Sequence, residues 1–237
     1  MVGAITNLSL VDYPSLPAMV IFMKGCNLKC TYCHNMALAR MPQVVESIEM
    51  RRVIHRMRKS KDLIDAVVIT GGEPLHGEPP CSSFNEIQTI ALEAHKLGLM
   101  VKLDTNGTYA DRLSYVITRL HIDYVAMDIK TYPQAGQNRK GYEAKHWKQI
   151  ISSLDVMENY RTSLDFQYEI RTTCHPLYVN ERIIRAIARL IPDEVPYYLQ
   201  PYQQVEGDNI QSTPEGALLP FLEIASSVHA DTHIRGG

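Results

Sequence analysis

Three cysteines, Cys26, Cys30 and Cys33, fall within the stretch "KGCNLKCTYCHN" (24–35) of a 237-residue chain whose two other cysteines, Cys81 and Cys174, stand alone. Thiolates are the ligands of zinc and of iron–sulfur clusters, and both usually take four. Three in one short loop, with no second pair elsewhere, leave one metal position open. A structural zinc site would have to use His34, directly after Cys33, but adjacent residues rarely reach one tetrahedral ion. A cubane [4Fe–4S] cluster whose fourth iron carries no protein ligand accounts for three cysteines directly, and such an iron is free to bind a cofactor or substrate. In a reducing cytosol, bunched cysteines point to metal or catalysis rather than to a disulfide framework.

The elements that must position this loop recur along the chain. Short β-rich apolar runs, "AMVIFM" (18–23), "DAVVIT" (65–70), "LMVKLDT" (99–105), "IDYVAMDI" (122–129), "FQYEIRTT" (166–173) and "VPYYLQPY" (195–202), predict strands. Most are continuous rather than alternating, as strands covered on both faces are. Helical periodicity separates them at 46–59, 83–97, 109–120, 143–158 and 179–190, and a last helix is expected around 214–227. Strand–helix alternation of this kind means a parallel sheet, either doubly wound or closed part-way into a barrel. The length suits one domain over 1–237.

Polar residues arrive at the C-terminal end of every strand. The cysteine loop follows the first and "TGGEP" (70–74) the second; Asp104, Thr105, Asn106 and Gly107 end the third. Asp128 and Lys130 end the fourth, Glu169 and Arg171 the fifth, Gln200 and Tyr202 the sixth. That end is where parallel α/β sheets build active sites, because the loops converge there. Glycines at 71 and 72 allow backbone carbonyls a close approach to a ligand, and Glu73 adds negative charge.

The spacing "CNLKCTYC", with the aromatic Tyr32 before the third cysteine, together with "GGEP" after the next strand, resembles the radical S-adenosylmethionine (SAM) enzymes. "LDTNG" (103–107) and "MDIK" (127–130) resemble the strand signatures of glycyl radical enzyme activases. The opening "GAITNLSLVDYPSLPAMVIFMKGCNLKCTYCHN", with "YEIRTTCHP" (168–176) and "LQPYQ" (199–203), is most similar to anaerobic ribonucleoside-triphosphate reductase activating proteins. The resemblance covers nearly the whole chain and implies an α/β fold, a partial (β/α)6 barrel of radical SAM type. It implies a [4Fe–4S] cluster on Cys26, Cys30 and Cys33, and SAM chelating the open iron. It further implies a SAM site drawn from Tyr32, His34, Gly71, Gly72, Glu73, Asp104, Asn106, Asp128, Lys130 and Arg171, with Lys130, then Arg171, for the carboxylate. Asp104, Thr105 and Asp128 match positions that hold a monovalent cation in the activases. Cys174 departs from the pattern, standing where an apolar residue is expected; a buried thiol behaves as a small hydrophobe.

The implied activity is installation of a glycyl radical on a partner, anaerobic ribonucleotide reductase first, with a flavodoxin- or ferredoxin-like reductant. Another glycyl radical enzyme, or a nucleoside or small metabolite, is the alternative target, and a non-catalytic zinc-binding adaptor the alternative class. The stretch "YPQAGQNRKGY" (132–142) and the end "HADTHIRGG" (229–237) are candidate parts of a docking surface. A net charge of −2 offers no footprint for nucleic acid or an anionic membrane. No leader-like or spanning apolar run occurs, so a cytoplasmic location is expected.

Overall fold

Runs such as "AVVIT" leave no polar face for water, so they belong inside a sheet covered by helices. The computed structural model describes residues 1–237 except 78–81, 134–143, 165 and 237, and the backbone alone at 82, 83, 144 and 215. Eight strands form one sheet in sequence order: β1 (Val2–Tyr13), β2 (Leu16–Met23), β3 (Ala66–Gly71), β4 (Met100–Thr105), β5 (Tyr124–Asp128), β6 (Gln167–Cys174), β7 (Tyr197–Pro201) and β8 (Thr232–Ile234). The β1–β2 pair is antiparallel and every later pair is parallel. Helices α1 (Met36–Arg40) and α2 (Met50–Ser60) follow β2, and α3 (Ser82–Lys96), α4 (Ala110–Leu120), α5 (Ala144–Arg161) and α6 (Glu181–Ala188) follow β3 to β6 in turn. A 3₁₀ turn (Glu215–Leu218) and α7 (Leu219–Ser226) connect β7 to β8. Right-handed βα crossovers put the helices on one side of the sheet, and the result is the partial barrel that the resemblance implies.

Two strands were not expected. β1 carries polar residues among its apolar ones, "VGAITNLSLVDY", and runs as an edge with register shifts at three places. An edge strand half in water lacks the continuous apolar run that marks an interior one. β8 is three residues long and too short for a pattern; it pairs Tyr197 with Thr232 and Leu199 with Ile234. Of the stretch 229–237, residues 232–234 are thus paired in the sheet.

The two faces differ. Helix-facing residues Val67, Ile69, Val101, Leu103, Val125 and Met127 are fully buried in the main core. Inside the barrel a smaller apolar cluster of Tyr13, Ala18, Val20, Ala66, Val68 and Tyr124 forms the floor. Above it, alternation along the strands turns Lys102, Asp104, Asp128, Glu169 and Arg171 inward. Among the described residues no helix is long and apolar enough to cross a membrane.

Candidate active site

A cleft opens at the C-terminal ends of β2 to β6. Cys26, Cys30 and Cys33 form one wall; Thr70, Gly71, Gly72 and Glu73 continue it; Asp104, Asn106, Asp128, Lys130 and Arg171 form the other. Tyr32, His34 and Thr105 line it as well. The structure therefore gathers every candidate site residue around one cavity. Cys174 lies apart, buried, its Sγ 3.7 Å from the Thr172 carbonyl. Cys81 and most of 132–142 lie outside the described residues.

The cysteine loop is laced to the turn after β3. Gly72 N donates to Met23 O at 2.9 Å, Glu73 N to Gly25 O at 2.8 Å, and Asn35 Nδ2 to Gly71 O at 3.1 Å. A Cβ on Gly72 would stand 2.0 Å from Gly25 O, and one on Gly71, at φ +118°, would stand 2.4 Å from the Met23 backbone. The glycine pair lets two backbones touch, and both glycines also line the cleft. Glu73 is likewise turned into the protein: Oε2 accepts from Asn106 N at 2.7 Å, and Oε1 from Thr105 Oγ1 at 2.9 Å and Leu75 N at 3.1 Å. Burial raises this carboxyl to about 7 against those hydrogen bonds. Glu73 ties the β3 turn to the end of β4, and Asn106 Nδ2 donates onward to Asn27 Oδ1 at 3.0 Å, inside the cysteine loop. The Arg40 guanidinium donates to the Cys30 carbonyl from the far side.

Burial, with the Glu73 carboxylate nearby, pushes the Cys26 thiol up to about 12; burial also raises Cys30, against the pull of Lys130. Such thiols become thiolates when a metal takes the charge. Among the described residues no three His, Cys, Asp or Glu side chains are grouped to hold a metal ion. A cubane cluster does not require that, since each thiolate takes its own iron.

The opposite wall is an ionic belt. Asp128 Oδ2 lies 3.0 Å from Lys130 Nζ, and its Oδ1 accepts from Arg171 Nε at 2.8 Å. Arg171 Nη1 stands 3.5 Å from Asp104 Oδ1, which also meets the buried Lys102 at 2.9 Å. Burial alone would raise Asp128; Arg171 and Lys130 hold it well below the usual carboxylate range. The three residues expected around a monovalent cation thus have other partners: a guanidinium between the two carboxylates, and Glu73 for the Thr105 hydroxyl. Glu169 lies deeper than its place in the strand-end series suggested, level with Ala126 and fully buried. Lys102 and Arg235 were missed. The signal for Lys102 was a lysine two residues before Asp104 inside an apolar run, "VKLDT", which places both on one face; for Arg235 the sequence carries none.

Tyr32 is 8% exposed and backs the cysteine loop. Its ring packs against His175, Tyr178 and Tyr202, with centroids 4.8, 5.5 and 6.2 Å away. His175 accepts from Leu177 N through Nδ1 at 3.1 Å, and the Tyr202 hydroxyl bonds Asp208 at 2.5 Å. His34 is exposed at the cleft rim.

Residues 20–190 match the radical SAM superfamily. A Methanocaldococcus jannaschii protein, provisionally named a glycyl-radical enzyme activating enzyme, is 32% identical over 212 residues, covering 86% of this chain and 80% of that one. The pyruvate formate-lyase-activating enzyme of Staphylococcus aureus is 27% identical over 136 residues, 54% of this chain and 51% of its own length. Among solved structures, a radical SAM methyltransferase from Sphaerobacter thermophilus superposes with a TM-score of 0.72 at 12% identity, covering 94% of this chain and 67% of that one, a likeness of fold.

Proposed function

The chain belongs to the radical SAM superfamily, in its group of glycyl-radical enzyme activating enzymes, and on that premise we propose that it holds a [4Fe–4S] cluster on Cys26, Cys30 and Cys33, binds SAM beside it, and installs a glycyl radical on anaerobic ribonucleotide reductase. The observation that carries the reading is the gathering of three half-buried thiols with Lys130 and Arg171 around one cleft. Cys26, Cys30 and Cys33 would hold the cluster, and cluster and SAM would supply the chemistry: one-electron cleavage of SAM, with a flavodoxin- or ferredoxin-like donor, to methionine and a 5′-deoxyadenosyl group able to take Hα from a glycine of the partner.

The residues of this chain bind, orient and exclude water. Lys130 and Arg171 are the two cations that would receive the SAM carboxylate, and the backbone of the 71–73 turn, on the cleft lining, would receive its ammonium. Glu73, Asn106 and Asn27 fix the cysteine loop against the end of β4. Tyr32, backed by His175, Tyr178 and Tyr202, makes a dry wall behind the thiols. The positive charge between Asp104 and Asp128 is read as the Arg171 guanidinium. Three cysteines in one loop favour the cluster over a zinc-binding adaptor, because structural zinc takes four protein ligands.

The reductase as partner rests on the similarity of the opening segment and of "YEIRTTCHP" to its activators; another glycyl radical enzyme is the second target. The test is electron paramagnetic resonance on protein reconstituted without oxygen, reduced, given SAM and mixed with the anaerobic reductase of the same organism, with iron, sulfide and zinc measured alongside. A glycine-centred doublet on the reductase is expected. Abundant 5′-deoxyadenosine without a doublet removes this partner; zinc without iron removes the cluster.

A further inference from the structure

Arg235, just past β8, does not line the cleft, yet its side chain reaches into the barrel. Nη1 and Nη2 donate to Oε1 and Oε2 of Glu169 at 2.6 and 2.7 Å, and the guanidinium lies 3.6 Å over the centre of the Tyr198 ring. Glu169 is fully buried, and its Oε2 also accepts from the Tyr124 hydroxyl at 3.0 Å. The same carboxylate stands only 4.0 Å from Arg171 Nη1. Arg171 spends its stronger contacts elsewhere, on Asp128 at 2.8 Å and toward Asp104 at 3.5 Å.

Two guanidiniums therefore stand beside one buried carboxylate. An unpaired buried carboxylate is strongly destabilising, so Glu169 must hold a cation. A bidentate fork is the geometry that satisfies both its oxygens at once. With Arg235 in that role, Arg171 is released to the cleft wall. Without Arg235, the nearest cation is Arg171 itself, and a small swing would carry its guanidinium from Asp128 down to Glu169.

We infer that Arg235 is a positioning residue for SAM: by satisfying Glu169 from the edge strand, it keeps Arg171 on Asp128 and in the cleft wall that receives the SAM carboxylate. The inference rests on the reading of the cleft given above. It makes a short edge strand, outside the cysteine and glycine motifs, a determinant of cofactor affinity. No contact of Arg235 touches the cysteine loop, so the effect falls on SAM and leaves the cluster alone.

The experiment compares wild type, Arg235→Met, Arg235→Lys and the double variant Arg235→Met/Glu169→Gln, each reconstituted, for iron and sulfide content, for SAM affinity by equilibrium titration, and for the Arg171 Nε–Hε resonance by nuclear magnetic resonance. Arg235→Met should weaken SAM binding about tenfold, the worth of one charge-assisted contact, at unchanged iron and sulfide. Arg235→Lys, with the charge but no fork, should fall between. In the double variant the neutral amide no longer draws Arg171, and affinity should return to within about threefold of wild type while the resonance returns to its wild-type position. A double variant as weak as Arg235→Met means that Arg235 acts only by holding β8, and overturns the inference. So does Arg235→Met with wild-type affinity. Wild-type protein that binds no SAM overturns the reading of the cleft; the relay is then judged by whether the Arg171 resonance moves in Arg235→Met and returns in the double variant.

Discussion

The two faces of the one sheet are built from the same strands by opposite rules. On the helix side, Ile69, Leu103, Met127 and Ile170 are fully buried among apolar neighbours, and shape is all that matters there. On the barrel side, residues one step along the same strands, Thr70, Asp104, Asp128 and Arg171, face the cleft, the three charged ones in ion pairs. A buried charge costs more than an apolar side chain contributes, and the belt is tolerated because nearly every charge has an opposite one within reach. The difference teaches where substitution should cost stability and where it should cost chemistry.

The largest expected effect lies at the mouth. Cys30→Ala should abolish 5′-deoxyadenosine formation and lower bound iron, leaving the melting temperature of the metal-free protein nearly unchanged; normal turnover in that variant would overturn the thiol assignment. Gly72→Ala tests the lacing of the two loops, because its Cβ has no room against Gly25 O. Poor iron retention is expected on reconstitution, and full retention would show that the turn can shift.

On the opposite face, Ile69→Ala should cost about 2–5 kcal/mol in denaturant unfolding, as buried large-to-small changes do, with SAM affinity intact at low temperature. An equal loss of SAM affinity at low temperature would erase the distinction between the faces. Lys130→Met, on the barrel side, should do the reverse: SAM binding weaker by about tenfold, with little loss of stability.

Two carboxyl groups of the cleft sharpen the comparison by titrating in opposite directions. Glu73, raised by burial from an ordinary 4.5 to about 7, keeps its proton in the folded protein after the unfolded chain has released it. Its contribution therefore falls as pH rises from 4.5 to about 7 and is level above. Asp128, held low by Arg171 and Lys130 against burial, contributes stability that is present above the unfolded value of 3.8 and lost as pH falls below it. Thermal unfolding of metal-free protein across pH checks both: Asp128→Asn should flatten the acid limb, and Glu73→Gln the limb toward neutrality. The smallest effect is expected at Cys174→Ser, a buried thiol outside the cleft, with turnover within about twofold of wild type because such a thiol acts as a small hydrophobe.

Much of this arrangement was legible in the chain itself. Continuous apolar runs located the six interior strands, and the polar ends of the first five marked the mouth, whereas Gln200 and Tyr202 at the sixth are not among the residues that line it. The cysteine spacing singled out three thiols for one metal group, and the structure sets all three along one cleft. What the sequence left open was local. Gly71 and Gly72 suit a ligand approach and a backbone contact equally well; the position of Gly25 O shows the contact, and both residues also line the cleft. Glu73 reads as a charge at the cleft, and the structure adds that Asn106 and Thr105 bond its oxygens. β1 and β8 escaped because edge strands need no continuous apolar run.

The sequence by itself determined the chemistry available: soft ligands in one loop, cations and carboxylates at strand ends, and an alternation of elements that brings those ends together. Only the tertiary structure decided who pairs with whom. Charges act through distance, and the distances among Lys102, Asp104, Asp128, Glu169, Arg171 and Arg235 depend on barrel curvature and strand register, which no local pattern encodes. Arg235 shows the point most plainly. It lies 66 residues from Glu169 in sequence and 2.6 Å from it in space, a partnership created wholly by the folding of the sheet.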